Sequence, residues 1–496
     1  MLKRVKLKND IKTEAKLKAF DYQKEAFETV KDLEYAAIFH EQGLGKTKIA
    51  IDLLLYWLKE TSIDTVLIVT KKQLVNNWKN EFETHTFIKP TILSNDKANN
   101  YYAFTSPSRV IITNFESLQT ERQQFELYLK TRYVAIIIDE SAKLKNPKSN
   151  LTQTFLELAP LFKKRVIMTG TPVANRPYDI WSQIYFLDSG KSLGTDFNDF
   201  KDSTDLSNDL AENECLQNDF ELSLAGIYAK IQSFSVRETK NSGIIVLPNK
   251  IYIRHELDLY DEQFQLYEKI RNELRVEAFK GGKRWVDDSS AVVKRLLRLS
   301  QITSNPMLID DSYNGKSAKE KVLDELISDI LSKGEKCIVW TNYIENVDNL
   351  HNKYKNLGSV KIHGSMKIDD RNKSVEKFRL PDYKILFATP ASAKEGLTLT
   401  QANNVIFYDR GFSLDDYLQA QDRIHRISQK KICYVHNLIA LNTIDEWIDI
   451  LLSAKAKAAA LAQGDITIEE YREIADYSFG EIVKEILNTS EDNIYG

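Results

Sequence analysis

Cysteine is scarce. Cys215, Cys337 and Cys433 are the only three in 496 residues, and they form neither a CxxC pair nor a Cys/His cluster. That spacing argues against a disulfide framework and against structural zinc, and fits a reducing compartment. Long apolar runs are missing too. None approaches the roughly 20 residues that a membrane-spanning helix needs, and the basic opening MLKRVKLKNDIKTEAKLKAF is followed by no signal-peptide core. The expectation is a soluble, cytoplasmic protein with no membrane partner. Nor is there a surplus of positive charge: the net charge is −3, so any surface for a polyanion must be local. Low-complexity tracts and short repeats are also absent.

What is present is an ordinary globular composition, 43% hydrophobic and 28% charged, in a chain long enough for two large domains. The first half alternates β-rich apolar runs (EYAAIF, TVLIVT, RVIIT, VAIIID, RVIMTG) with longer helical patterns. A second series follows in KCIVWT, VKIHG, KILFAT, NVIFYD and CYVHNLI. Uninterrupted apolar strands separated by helices predict parallel sheets covered on both faces, and two series predict two α/β lobes. Lobe one is expected over residues 1–235, with a polar, acidic insertion at 189–232 that has helical spacing only in patches. Residues 236–496 are expected to hold a linker, a helical protrusion at about 251–310 and lobe two.

Residues 40–47, HEQGLGKT, sit between the apolar run EYAAIF and the helical pattern KIAIDLLLYWL. Glycines let backbone N–H groups turn inward around phosphates, and a lysine and a threonine at the following helix add a charge and a hydroxyl for Mg²⁺. Gln42, Gly43, Leu44, Gly45, Lys46 and Thr47 are the candidate phosphate loop, although His40 occupies the opening position where the usual pattern has glycine. The alternative is an ordinary glycine-rich strand–helix turn. A second half of the site is IIIDES, with Asp139 and Glu140 at the carboxyl end of a strand, where α/β sheets bind ligands. Asp139 is placed to hold Mg²⁺ with Thr47, and Glu140 to orient or deprotonate an attacking water. Gln23, in FDYQ, has an amide that pairs with both donor and acceptor edges of adenine; from the residue alone it reads equally well as a surface helix position.

Further stretches form a series with these: TVLIVTKKQLVNNWKNEF, DESAKLKNPKS, RVIMTGTP, SFSVRETKNSGIIVLPNK, LSQITSNPML, VKIHGSMKIDDRNKSVEKF, FATPASAKEGLTLT and YLQAQDRIHRISQ. Their order closely resembles the SNF2 (Swi2/Snf2) group of superfamily 2 helicase-like ATPases, over roughly residues 17–460. The resemblance implies two RecA-like lobes facing across an ATP cleft, with ATP and Mg²⁺ as cofactors and DNA as partner. It also implies roles. Arg423 and Arg426, three apart on an expected helix, resemble arginine fingers; Gln419 joins them, and Gly396 lies in a loop that approaches ATP. Loop residues suited to sequence-independent phosphate contacts are Lys71, Lys72, Asn114, Lys145, Asn146 and Arg176 in lobe one, and Asn342, His363, Ser392 and Lys394 in lobe two.

Three departures stand out. Ala142 takes the place of the family's usual His, which connects the ATP site to the TGTP segment. Ala393 and Lys394 replace two common glycines, and Ala174 replaces a common Gln. None removes a group that does chemistry, so an active ATPase is expected. The motifs fill most of the chain, which suggests a minimal, monomeric motor like the stand-alone bacterial or phage members. The leading expectation is an ATP-dependent translocase on duplex DNA that acts at forks or junctions by branch migration, or strips bound proteins. A strand-separating helicase and an ATP-switched nucleic-acid scaffold without turnover are the alternatives. A metabolic P-loop kinase or GTPase would have no use for the second lobe and its arginines.

Overall fold

The structure is a computed structural model and describes residues 11–93, 97–105, 108–243, 247–273, 275–280, 283–288, 292–393 and 398–487. The chain divides into two compact units. One is built on residues up to Leu206 with 218–246 and 458–471; the other is built on 207–217, 247–457 and the residues from Arg472 onward.

The first unit holds a seven-stranded sheet. Its strands are β1 (Tyr35–Ile38), β2 (Thr65–Thr70), β3 (Thr91–Ile92), β4 (Val110–Asn114), β5 (Val134–Asp139), β6 (Lys164–Met168) and β7 (Ser235–Val236). They lie in the order β3-β4-β2-β5-β6-β1-β7, and every pair is parallel. All six residues of β2 are buried, as a strand sandwiched by helices requires. Helix α1 (Asp21–Val30) precedes β1, α2 (Lys46–Glu60) follows it, and α3 (Val75–His85) follows β2. Ile49, Leu53 and Trp57 of α2 share a core with Ile38, Ile68, Ile112, Ile137 and Met168 from alternate positions of the sheet.

The second unit holds a six-stranded parallel sheet. Its strands are β8 (Lys250–Leu257), β11 (Cys337–Trp340), β12 (Ser359–Ile362), β13 (Ile385–Ala388), β14 (Asn404–Phe407) and β15 (Cys433–Ala440), ordered β12-β13-β11-β14-β15-β8. The two-residue period of β11 is explicit: Ile338 and Trp340 enter one core, and Cys337 and Val339 enter the other. The two α/β units with parallel sheets follow the sequence pattern.

Two segments differ from their sequence reading. The expected helical protrusion at about 251–310 begins instead with β8, which pairs along its whole length with β15. Its centre carries an antiparallel hairpin, β9 (Arg275–Lys280) with β10 (Lys283–Asp288). β8 escapes an apolar-run search because it is an edge strand and carries Arg254 and Glu256, the charged dressing that keeps edges from pairing further. The Gly281–Gly282 pair, read as an interruption of a helix, falls between β9 and β10 in sequence, and Gly-Gly is a two-residue hairpin signal. In the acidic 189–232 stretch the helix Glu214–Ile231 runs for 18 residues, and Phe220, Leu224, Ile227 and Ile231 supply its buried stripe. No helix among the described residues is long and apolar enough to cross a membrane.

Candidate active site

The loop between β1 and α2 bends through two left-handed glycines, Gly43 (φ 88°) and Gly45 (φ 68°). A side chain at Gly45 would be strained at this φ, and its Cβ would lie 2.2 Å from Nε2 of Gln23, which would have to move away. The Lys46 ammonium folds back over the loop and donates to the carbonyls of His40 at 2.8 Å and Glu41 at 3.2 Å. A cation held by weak neutral acceptors, at a helix N-terminus whose loop amides are freed by glycine, suits a polyphosphate. Thr47 follows in the first turn of α2. His40 is 2% exposed; burial, and then the Lys46 charge, hold its pKa down at about 4, so the imidazole is neutral beneath the loop.

Gln23 is brought to this loop from α1, with its Nε2 3.5 Å from the carbonyls of Leu44 and Gly45. Its Oε1 accepts the Phe20 N–H at 3.0 Å, satisfying a backbone donor at the start of α1. Tyr22 adds a bond from its hydroxyl to the Leu44 carbonyl. The FDYQ segment therefore braces the glycine loop from behind.

Asp139 ends β5, two strands from β1 in the sheet. Trp78 Nε1 donates to its Oδ2 at 2.8 Å and Thr70 Oγ1 donates to the same oxygen at 3.1 Å. Burial and the neighbouring Glu140 push the Asp139 carboxyl up; Trp78, Lys46 and Thr70 pull against them. Glu140 is a non-glycine residue in the left-handed region, φ 57°. Such backbone costs on the order of 1 kcal/mol and persists only where surrounding structure imposes it. Lys71 meets its carboxylate at 3.3 Å. Beyond β6, Gly170 faces the glycine loop closely: a Cβ there would sit 2.8 Å from Gln42 Cγ and 3.3 Å from Lys46 Nζ. The structure thus gathers Gln23, Gln42, Gly43, Leu44, Gly45, Lys46, Thr47, Asp139 and Glu140 at one end of the first sheet.

In the second unit, helix Leu414–Gln421 stops before the arginines. Arg423 and Arg426 lie in the turns that follow and do not share a helix face as their spacing predicts. The Arg423 backbone carbonyl accepts the Leu399 N–H, and the side chain is buried. Arg426 donates to Thr398 Oγ1 at 2.7 Å and to the Asp422 carbonyl at 3.0 Å, and burial holds its pKa below the ordinary value. Gln419 remains on the helix and donates to Asp415. Gly396 and Lys394 lie outside the described residues.

The candidate polymer contacts divide by exposure. Lys72 and Asn146 are exposed, and Arg176 is half-exposed beside Asp205 and the Tyr178 ring. Lys145 lies 3.6 Å from Asp179. Three others are committed inward. Asn114 is the N-cap of the helix after β4 and accepts the Ser117 N–H; Ser392 is buried and bonds to the Thr389 carbonyl; His363 is buried beside Asp348, and burial lowers its pKa. Asn342 is exposed, but its backbone and side-chain N–H groups donate to Asp409. Sequence reasoning assigned no contacts to Trp78, Gly170 or Arg237, although each lies within a motif quoted above. Arg237 donates to the Phe39 carbonyl at the base of the loop and to both oxygens of Asp465.

A glycine-bent loop gripping its own lysine, with an acid pair at the carboxyl end of a nearby parallel strand, defines a P-loop nucleotide-binding protein. The SNF2-related domain model matches residues 22–308, more than half of the chain, and the helicase conserved C-terminal domain model matches residues 318–428. The chain therefore belongs to the SNF2 family of helicase-like ATPases. It is 29% identical over 439 residues to an uncharacterized ATP-dependent helicase of Mycoplasma pneumoniae, covering 86% of this chain and 40% of that protein. It is 27% identical over 508 residues to the mouse (Mus musculus) DNA repair and recombination protein RAD54-like, covering 92% and 66%. A solved structure, the SWI2/SNF2 ATPase core of Sulfolobus solfataricus in complex with dsDNA, shares 24% identity over 93% of this chain and 98% of that one, with a TM-score of 0.43. The chain spans less than half the length of the mycoplasma relative.

Proposed function

We propose that the chain hydrolyses ATP to move along double-stranded DNA, remodelling forks or junctions by branch migration or displacing bound proteins. The observation that carries this reading is the held acid pair. Asp139 is fixed by Trp78 and Thr70, and Glu140 is imposed in a strained backbone conformation beside Lys71. A loop that only binds nucleotide has no use for a carboxylate maintained at such cost. The residues present also fit a hard cation: the Thr47 hydroxyl and the Asp139 carboxylate are oxygen donors of the kind Mg²⁺ takes. When bound, Mg²⁺ neutralises charge on the phosphates. Lys46 supplies positive charge to the same groups, and Glu140 orients or deprotonates water. Arg423 and Arg426 are proposed as the fingers that stabilise charge in the transition state. DNA as the polymer is supported by the mouse relative's place in DNA repair and recombination and by the exposed Lys72 and Arg176 in the loops after β2 and β6.

The test is steady-state ATP turnover with no DNA, single-stranded DNA, linear duplex and a four-way junction, beside Lys46→Ala. Stimulation by duplex or junction, lost in the variant, is the expected result. Stimulation by single strands alone replaces the proposal with a strand-separating helicase. Absence of turnover with ATP still bound replaces it with a scaffold.

A further inference from the structure

Ala142 presents only a methyl group, so any side-chain hydrogen bond from the acid turn to the loop after β6 must start elsewhere. It starts one residue earlier. Ser141 Oγ donates to Gln183 Oε1 at 2.7 Å, and Gln183 Nε2 donates to the carbonyls of Pro172 at 2.8 Å and Asp179 at 2.9 Å. Both side chains are fully buried. The amide's two donors and its acceptor oxygen are all engaged, which fixes its rotamer and makes each partner costly to release. Gln183 lies on the helix Trp181–Asp188 and thereby joins two loops that the sheet alone leaves independent.

Each end of this link leads to a working residue. Ser141 directly follows Glu140, so a bond to its side chain helps set the strained turn that aims the acid. Pro172 is two residues from Gly170, which lies against Gln42 and Lys46 of the nucleotide loop. Asp179 also receives the backbone N–H groups of Asn175 and Arg176, at 2.9 and 3.2 Å, and stands 3.6 Å from Lys145. Arg176 is one of the two cations proposed above to meet the polymer, and Lys145 is a further candidate from the sequence. One buried amide thus touches the acid turn, the loop against the nucleotide site and the residue that holds both cations.

We propose that Gln183, with Ser141, is a positioning pair that couples nucleotide occupancy and the polymer-facing loop 170–176 to the setting of Glu140. It acts through the groups it holds and touches no reacting atom. The inference rests on the ATPase reading above and adds the route by which that site is coordinated.

Hydrogen exchange and turnover test it together, on the full chain with a non-hydrolysable ATP analogue as probe. In the wild type the analogue is expected to slow exchange across residues 170–176. Ser141→Ala, which removes one bond, and Gln183→Met, which keeps the volume, are expected to bind the analogue as the wild type does but to lose that slowing. Their DNA-stimulated kcat is expected to fall about tenfold or more, with KM for ATP within about twofold. Asp188→Asn is the control. Asp188 holds the N–H groups of Gly190 and Ser192 at the far end of the same helix, so this variant is expected to lower the melting temperature and leave kcat and loop exchange unchanged. If Gln183→Met does not fold, Ser141→Ala decides. Equal loop protection in wild type and Ser141→Ala overturns the proposal, as does a wild-type loop that ignores the analogue. A wild type without DNA-stimulated turnover overturns the proposed function instead, while the exchange comparison still decides this one.

Discussion

Trp78→Phe isolates what holds the metal-side acid ready. Burial and Glu140 both favour the protonated form of Asp139, and the indole N–H at 2.8 Å is foremost among the side chains that oppose them. A donor to a charged acceptor is worth about 1.5–3 kcal/mol, and 1.36 kcal/mol corresponds to one pKa unit. Removing it should raise the Asp139 pKa further above the ordinary value. The carboxyl must be ionised to hold a cation, so the acid limb of the pH–rate profile is expected to move to higher pH by about one unit. The half-saturating Mg²⁺ concentration is expected to rise about 10- to 100-fold, as for loss of other groups that orient metal ligands.

Shrinking a buried ring also costs stability, about 1–2 kcal/mol here, and that alone lowers activity without moving a pH limb. Phe82→Leu separates the two effects. Phe82 is fully buried with its ring 6.3 Å from that of Trp78, so the variant loosens the same packing and keeps the donor. Thr70→Val removes the longer 3.1 Å bond and is expected to shift the limb the same way by less. An acid limb at the same pH in Trp78→Phe and Phe82→Leu would refute the reasoning.

Three further outcomes follow from the same site. Glu140→Asn puts a residue tolerant of the left-handed region at φ 57°; stability is expected to rise by up to about 1 kcal/mol in urea melts while turnover is lost, and retained turnover would show that Glu140 has no role in it. Gly170→Ala places a methyl 2.8 Å from Gln42 Cγ and 3.0 Å from its backbone nitrogen, so KM for ATP is expected to rise about tenfold as the loop shifts; an unchanged KM would mean that the contact does not shape the site. His40 and His436 have folded pKa values near 4, below the unfolded value of about 6.5. Protons therefore bind the unfolded chain more tightly. The stabilisation is full above about pH 6.5 and is lost as pH falls towards 4, by about 2 kcal/mol per histidine at pH 5. Urea midpoints measured between pH 7 and 5 should fall, and His436→Asn should flatten the slope; a slope unchanged by that variant rejects the assignment.

Legibility in the sequence followed the range of the interactions. β2 and β5 could be read because a strand buried on both faces must be apolar at nearly every position, and the glycine loop could be read because left-handed turns at a helix start narrow the choice of residue. β8 could not, since an edge strand is selected for charge and its pairing with β15 joins residues far apart in the chain. The spacing of the arginines fits a helix, but spacing does not say where a helix ends, and this one ends at Gln421. Asn114 shows a deeper ambiguity. An asparagine after a strand suits a phosphate contact and suits an N-cap equally well, because both need a short polar side chain beside exposed backbone; the Ser117 N–H takes it. Ser141 stands inside the quoted DESA stretch and Gln183 stands in no quoted motif, but neither residue type points to the other, because their meaning lies in a bond across 42 positions. Motifs mark the groups that meet ligands, whereas the bonds that hold those groups in register are chosen by whichever partner the fold brings within reach. The Ala142 departure is therefore informative: where the usual side chain is replaced by a methyl, the neighbouring buried polar pair is the place to look for what does its work.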